Sequence, residues 1–340
     1  MIHPHIADAL KTPDLVRLTD GMVLLRFESM KIYSALGAVR HLLDEGVVRP
    51  GQTLVDSSSG IYAYALALAC HRHGLRCHIV ASTTVDATTR AQLEVLGATV
   101  EQVEPSRNLK LDQELRVRRV RELLAERPDA HWMRQYHDAV HYLGYREVAD
   151  LVAQAVPDRP LTVVGGVGSG ASTGGLVEHL RRRDPSVGLV GVQPFGSVTF
   201  GSQDHHDPEA IIAGIGSSIP FDNVRHHLYD ALHWLDFTHA MSGTVALLRD
   251  HAVFAGLSTG AAYLAAGHES RRRPDRLHLV IGADTGHRYV DRVYARHAEA
   301  LDPAALKPVE VDGPEEMAMP WSTMAWNRTP CPPHWKEQSA

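Results

Sequence analysis

Lys31 stands out by its type. The sequence holds 5 lysines against 29 arginines, so a background that has largely exchanged lysine for arginine keeps a primary amine in the segment Met30-Lys31-Ile32-Tyr33-Ser34, which opens a helix. A guanidinium stays protonated and cannot form an imine, whereas a lysine amine can. Two loops accompany it. Ser57-Ser58-Ser59-Gly60 lies between a strand and a helix, where hydroxyls and backbone N–H groups suit a carboxylate and the plainer alternative is a helix cap. About a hundred residues later Gly165-Gly166-Val167-Gly168-Ser169-Gly170-Ala171-Ser172 also joins a strand to a helix, and there glycines admit close backbone approach while helix-start N–H groups hold a phosphate. The pattern G-x-G-x-x-G is not met, because its sixth position is Ala171 counted from Gly166 and Thr173 counted from Gly168, and no Gly-Lys-Ser/Thr occurs. A single phosphate group is favoured over a dinucleotide or a nucleoside triphosphate.

Short β-rich runs alternate with helical ones around these loops. Strands are expected at 52–55, 76–80, 99–103, 161–164, 187–192 and 277–281, and helices at 62–73, 84–96, 109–127, 173–183, 242–250 and 260–266. Such alternation implies parallel sheets with covered faces, an α/β architecture of two doubly wound, three-layer αβα domains. The expected division is a smaller α/β domain at 35–145, a larger one made of 1–34 plus 146–300, and an extension at 301–340. That last stretch is rich in proline yet carries Trp321, Trp326 and Trp335, too apolar to be left in water, so it is expected to pack on the body or across a dimer interface.

The bulk numbers exclude several partners. With 44% apolar residues, 22% charged residues and a net charge of −6, the chain is ordinary for a globular protein, and its longest basic runs are the triplets Arg181-Arg182-Arg183 and Arg271-Arg272-Arg273. No nucleic-acid partner is expected. Cys70, Cys77 and Cys331 are odd in number and lack metal-ligand spacing, which suits a reducing cytoplasm. The N-terminus lacks the charged-then-apolar pattern of a leader, and no apolar run is long enough for a membrane span. The pair His137 and His141 has helical metal-site spacing but lacks the Glu of H-E-x-x-H, so no metal is expected.

From about residue 15 to 295 the order of elements resembles the fold type II pyridoxal-phosphate enzymes, the tryptophan-synthase-β-like fold, and within them the cysteine synthase and cystathionine β-synthase family. The resemblance rests on Leu96-Gly97-Ala98, Gly168-Ser169-Gly170-Ala171-Ser172, Gly191-Val192-Gln193-Pro194, Ala213-Gly214-Ile215-Gly216-Ser217-Ser218-Ile219-Pro220, Gly256-Leu257-Ser258-Thr259-Gly260 and Ala283-Asp284-Thr285-Gly286-His287-Arg288-Tyr289, in the family's order and near its spacing. It implies that Lys31 binds pyridoxal 5'-phosphate in a cleft between the domains, that residues Gly168 to Ser172 cradle its phosphate, and that Ser58, Ser59 and Gly60 grip the substrate carboxylate with Gln135 opposite. Thr285 falls where a family hydroxyl meets the pyridine nitrogen, and its neighbour Asp284 is the alternative. Two departures are plain. The Asn-Pro-Ser/Thr-Gly turn before the lysine is absent, leaving Arg26-Phe27-Glu28-Ser29-Met30. Ile61 replaces the Asn that bonds the cofactor's phenolic oxygen, followed by Tyr62 and Ala63. The implied reaction is β-replacement on a serine-derived amino acid through an aminoacrylate, adding sulfide or another small nucleophile, in a homodimer. The rivals are β-elimination by an ammonia-lyase of the same fold and a catalytically silent amino-acid-binding relative.

Overall fold

The computed structural model describes residues 2–83, 85–104, 109–156, 159–210 and 214–332. Thr84, Ala213 and Trp335 lie outside them. In chain order the elements begin with α1 (Ile6–Ala9), the hairpin strands β1 (Asp14–Thr19) and β2 (Met22–Arg26), α2 (Lys31–Asp44), β3 (Thr53–Ser57), α3 (Ile61–His73), β4 (Arg76–Ser82), α4 (Ala87–Val95) and β5 (Thr99–Val103). The middle of the chain forms α5 (Leu109–Glu126), β6 (His131–Trp132), α6 (Tyr145–Ala155), β7 (Leu161–Gly166), α7 (Ala171–Arg181) and β8 (Gly188–Pro194). The last elements are β9 (Ala231–Leu235), α8 (Phe237–His251), α9 (Leu257–Arg272), β10 (Leu277–Gly282), β11 (Val309–Glu310) and β12 (Trp321–Ala325).

Two compact units result, one from Met1–Thr12 and Lys31–Tyr145, the other from Pro13–Met30 and Arg146–Ala340. The sequence expectation put 1–34 with the larger unit and left 301–340 apart. Both differences have a local cause. The break falls at Lys31 because α2 starts there and buries its apolar stripe, Ile32, Ala35, Leu36 and Val39, within the smaller unit. The C-terminal stretch belongs to the larger unit because β12 pairs antiparallel with β9, Trp321 opposite Leu235 and Ala325 opposite Ala231.

The smaller unit is a parallel sheet in the order β5-β4-β3-β6. Every residue of β3 is buried, and Val55 and Val80 pack with Val120 and Leu123 of α5. The larger unit holds eight strands in the order β1-β2-β10-β7-β8-β9-β12-β11. Its centre, β2 to β9, is parallel, while β1 and β12 run antiparallel to their inner neighbours. Runs such as Val163-Val164 and Leu279-Val280-Ile281 are apolar without alternation because both faces of a parallel sheet are covered. Trp321 is 1% exposed and its indole N–H donates to His233 Nδ1 at 3.0 Å. The Trp326 indole N–H donates to the Thr329 carbonyl at 2.8 Å. Among the described residues no helix is long and apolar enough to cross a membrane.

Candidate active site

In the smaller unit Lys31 occupies the first position of α2 and is 7% exposed. Burial penalises its ammonium and brings its pKa from 10.5 down to about 8. His141 is buried in the same unit, with Nε2 2.8 Å from the Met133 carbonyl and Nδ1 3.2 Å from Ser34 Oγ. A carbonyl only accepts, so Nε2 carries the proton and Nδ1 accepts from the serine. Burial pushes this imidazole down to about 4, so it adds no charge beside Lys31. Both of its nitrogens are engaged in the core, which removes it from any metal site with His137.

The serine loop is braced from below. Asp56, fully buried at the end of β3, accepts the Ser57 N–H at 2.8 Å, the Trp132 indole N–H at 3.2 Å and the Gln135 N–H at 3.0 Å. Burial outweighs these donors and raises its pKa to about 7. The Gln135 side chain donates to the Ser57 carbonyl at 2.9 Å, so the glutamine expected opposite the loop lies against it. Ser59 Oγ accepts the Ser82 N–H at 2.7 Å, and Ser58 N–H donates to Val80 at 3.1 Å. Gly60, in extended conformation, is the N-cap of α3 and no side chain caps that helix. The helix-cap reading of the serines therefore does not apply, and the first N–H groups of α3 remain for an anion. Ile61 has no side-chain hydrogen-bonding group, while the neighbouring Tyr62 has a buried hydroxyl with no partner among the described residues.

Arg116 is the residue that sequence reasoning missed. It reaches from α5 to Ser57, Nε to Oγ 3.2 Å, and is 8% exposed. Burial lowers its pKa, opposed by the charges of Tyr136 and Asp112. Among the described residues it makes no salt bridge, so a buried cation beside the serine loop is left with a single neutral partner. Asp56 was missed as well, although its place directly before the serines is a usable signal.

In the larger unit β7 leads through Val167 to Gly170 into α7. A Cβ on Gly168 would lie 2.4 Å from the Gly214 carbonyl oxygen, and Gly170 has φ 78° with a Cβ position 2.7 Å from the Asn223 oxygen. Only glycine fits either place. Gly170 caps α7, so the N–H groups of the first turn, from Ala171, Ser172 and Thr173, have no acceptor within the helix. Ser169 and Ser172 are buried. Thr285 is half-buried with its hydroxyl 2.9 Å from His287 Nδ1, and Asp284 is buried.

A glycine-rich strand-loop-helix junction and a buried lysine of depressed pKa agree with the match of residues 23–281 to the family described as pyridoxal-phosphate dependent enzyme. The chain belongs to this family. It is 33% identical over 310 residues to the N-(2-amino-2-carboxyethyl)-L-glutamate synthase of Ralstonia nicotianae, covering 86% of this chain and 90% of the relative. The synthase of the same name from Cupriavidus metallidurans is 34% identical over 278 residues, covering 78% of this chain and 79% of the relative. Among solved structures, the O-acetylserine dependent cystathionine beta-synthase of Helicobacter pylori superposes with a TM-score of 0.77 at 22% identity, covering 86% of this chain and 99% of that one. O-ureido-L-serine synthase gives 0.75 at 22% identity, over 89% and 99%. These two likenesses speak for the fold. The expectation of a pyridoxal-phosphate enzyme of the cysteine synthase type, with β-replacement chemistry, is borne out. The residues present also fit the cofactor, since the two glycine positions leave room that a Cβ would fill and the first turn of α7 presents donors to a phosphate.

Proposed function

We propose that this pyridoxal-phosphate enzyme joins the three-carbon unit of a serine-derived amino acid to the nitrogen of an acidic amino acid, glutamate being the first choice. The observation that carries the reading is Arg116, a buried guanidinium that, among the described residues, hydrogen-bonds Ser57 alone. A nucleophile with a side-chain carboxylate supplies the bidentate partner that such a fork favours, and sulfide does not. The relatives at 33% and 34% identity are named for a glutamate product carrying a 2-amino-2-carboxyethyl group, which supports the same choice.

When bound, pyridoxal phosphate supplies the electron sink that makes the Cα proton of the substrate acidic and lets the β-substituent leave. Each other task falls to residues of this chain. Lys31 anchors the cofactor through its amine, and with a pKa near 8 that amine can take and return the Cα proton close to neutral pH. Ser58, Ser59 and the N–H groups at the start of α3 hold the α-carboxylate, with Gln135 and Asp56 keeping the loop in shape. Residues Gly168 to Ser172 hold the phosphate. The reading includes a homodimer working in the cytoplasm, for which the free thiols Cys70, Cys77 and Cys331 and the dimeric habit of the resembling family are the support.

The test is a product assay by mass spectrometry. Holoenzyme is supplied with O-acetyl-L-serine or O-phospho-L-serine and with glutamate, aspartate, sulfide or no nucleophile. Glutamate should give the N-linked adduct fastest, and Arg116→Gln should raise its KM by roughly tenfold or more, as expected for a lost charge-assisted hydrogen bond. Faster reaction with sulfide, or pyruvate as the only product, overturns the reading. An Arg116→Gln defect confined to the O-phospho donor assigns the guanidinium to the leaving group instead.

A further inference from the structure

A cavity of about 270 Å³ opens on the larger unit along the second half of α9. The start of β2, the end of α8, the turn at 302–304 and the start of β12 complete its walls. All of these belong to the one unit, and none of the lining residues is part of the candidate active site. The floor is apolar. Trp321, Met22 and Leu264 line it and are buried, and the indole N–H of Trp321 is already engaged by His233, so these side chains present apolar surface alone.

Four charged side chains stand around that floor. Arg249 and Asp250 neutralise each other, Nε to Oδ1 at 2.7 Å and Nη2 to Oδ2 at 2.9 Å. Arg271 and Asp302 have no such match. Among the described residues Arg271 makes no ion pair or hydrogen bond, and the Asp302 carboxylate accepts the Ala304 N–H alone, at 3.0 Å. An apolar hollow that holds one unmatched cation and one unmatched anion is completed by a zwitterion with an apolar body. Its volume, just below the roughly 300–1,000 Å³ of drug-sized sites, suits a molecule of amino-acid size.

Gly267 is an independent sign that the space is kept open. It lies inside α9, where glycine is destabilising relative to alanine, and its backbone is not in the left-handed region. A Cβ there would meet nothing nearer than Arg271 Nη1 at 3.7 Å, an ordinary contact. Packing within the described chain therefore does not demand a glycine at this place. A ligand against the helix does, because Gly267 lines the cavity and any side chain grown from it would take up the space beside Arg271.

We propose that this cavity is a second binding site, apart from the reaction, for a free α-amino acid with a large apolar side chain. Arg271 receives the carboxylate, Asp302 the ammonium group, and Trp321, Met22 and Leu264 the side chain. Glutamate and aspartate are excluded, since they would set a charge on the apolar floor, and the site is independent of the nucleophile that the enzyme uses.

Isothermal titration calorimetry of holoenzyme with L-leucine and L-phenylalanine tests this, with the cofactor's absorption spectrum followed alongside. At least one of the two should bind with a Kd below about 1 mM and leave the spectrum unchanged. The same bodies without the amino group, 4-methylpentanoate and 3-phenylpropanoate, and L-glutamate should bind about tenfold more weakly or worse. Arg271→Gln and Asp302→Asn, at exposed side chains, should each weaken binding about tenfold. Gly267→Leu should abolish it while cofactor content and turnover stay at wild-type values. Failure of both amino acids to bind overturns the proposal, and so does a spectral change, which places the ligand on the cofactor. Binding that survives Gly267→Leu, or a carboxylate that binds as tightly as its amino acid, overturns it as well. Should Gly267→Leu not fold, unchanged affinity in Arg271→Gln and Asp302→Asn has the same force.

Discussion

Asp56→Asn tests a contest that the structure decides in a definite direction. Three N–H donors, from Ser57, Trp132 and Gln135, favour the ionised carboxylate, and a carboxylate so supplied can sit far below the ordinary range. Burial opposes them and wins, carrying the pKa from 3.8 to about 7. Between these two values the folded protein binds a proton that the unfolded chain has released. Stability from this group is therefore present at low pH, declines as pH rises through the window, and is gone above about 7. At roughly 1.4 kcal/mol for each unit, the two units of the window between pH 5 and 7 amount to roughly 3 kcal/mol. Asparagine does not titrate. It also turns an amide donor toward one of the N–H groups, a penalty of about 1–3 kcal/mol that does not change with pH. Urea denaturation of both proteins followed by circular dichroism from pH 5 to 8, at matched cofactor content, gives the difference in stability at each pH, with every other titration cancelling. The wild-type advantage should shrink by roughly 3 kcal/mol across the series. A difference that stays flat, or grows with pH, would mean that the three donors hold Asp56 ionised and that the serine loop rests on a charge.

Lys31→Ala should abolish turnover and leave the circular dichroism unchanged. Borohydride treatment of the wild type should put the cofactor's mass on the peptide containing Lys31 and nowhere else, and an adduct on another lysine would remove Lys31 from its role. Gly168→Asp places a carboxylate against the Gly214 carbonyl, where even a Cβ comes within 2.4 Å. The purified variant should lack cofactor, and full cofactor content would show that the cradle lies elsewhere. Trp321→Ala removes an indole that is 1% exposed and should cost about 3–5 kcal/mol of stability. An unchanged melting temperature in that variant would contradict the packing of β12 on β9.

The alternation of strand and helix was legible because the central strands are short apolar runs and longer helix-forming stretches separate them, a pattern that needs only local sequence. The place of the two glycine or serine loops and of Lys31 at element junctions was legible for the same reason. β12 was not. Its Trp-Ser-Thr-Met-Ala sequence becomes a strand by pairing with residues about ninety positions earlier, and the prolines around it suggest only an irregular stretch packed on the body or a partner. Arg116 was hidden for a related reason. α5 also carries Arg118, Arg119 and Arg121, exposed or half-buried, and only packing distinguishes the one guanidinium that turns inward. The choice between Thr285 and Asp284 was open because neighbouring residues at a strand end point to different sides, and a matching motif does not say which side the ring occupies.

The sheet of the larger unit begins with a hairpin from the first thirty residues and needs β12, from the last twenty, to cover β9. On a ribosome the hairpin emerges about three hundred residues before β12. The smaller unit, residues 1–12 and 31–145, has all its parts once Tyr145 has emerged and can fold while translation continues, whereas β9 keeps a bare edge until β12 clears the exit tunnel. A nascent chain stalled near residue 300 should therefore have a finished smaller unit and an unsealed larger one, the form most open to chaperones and to pairing with a second unfinished chain.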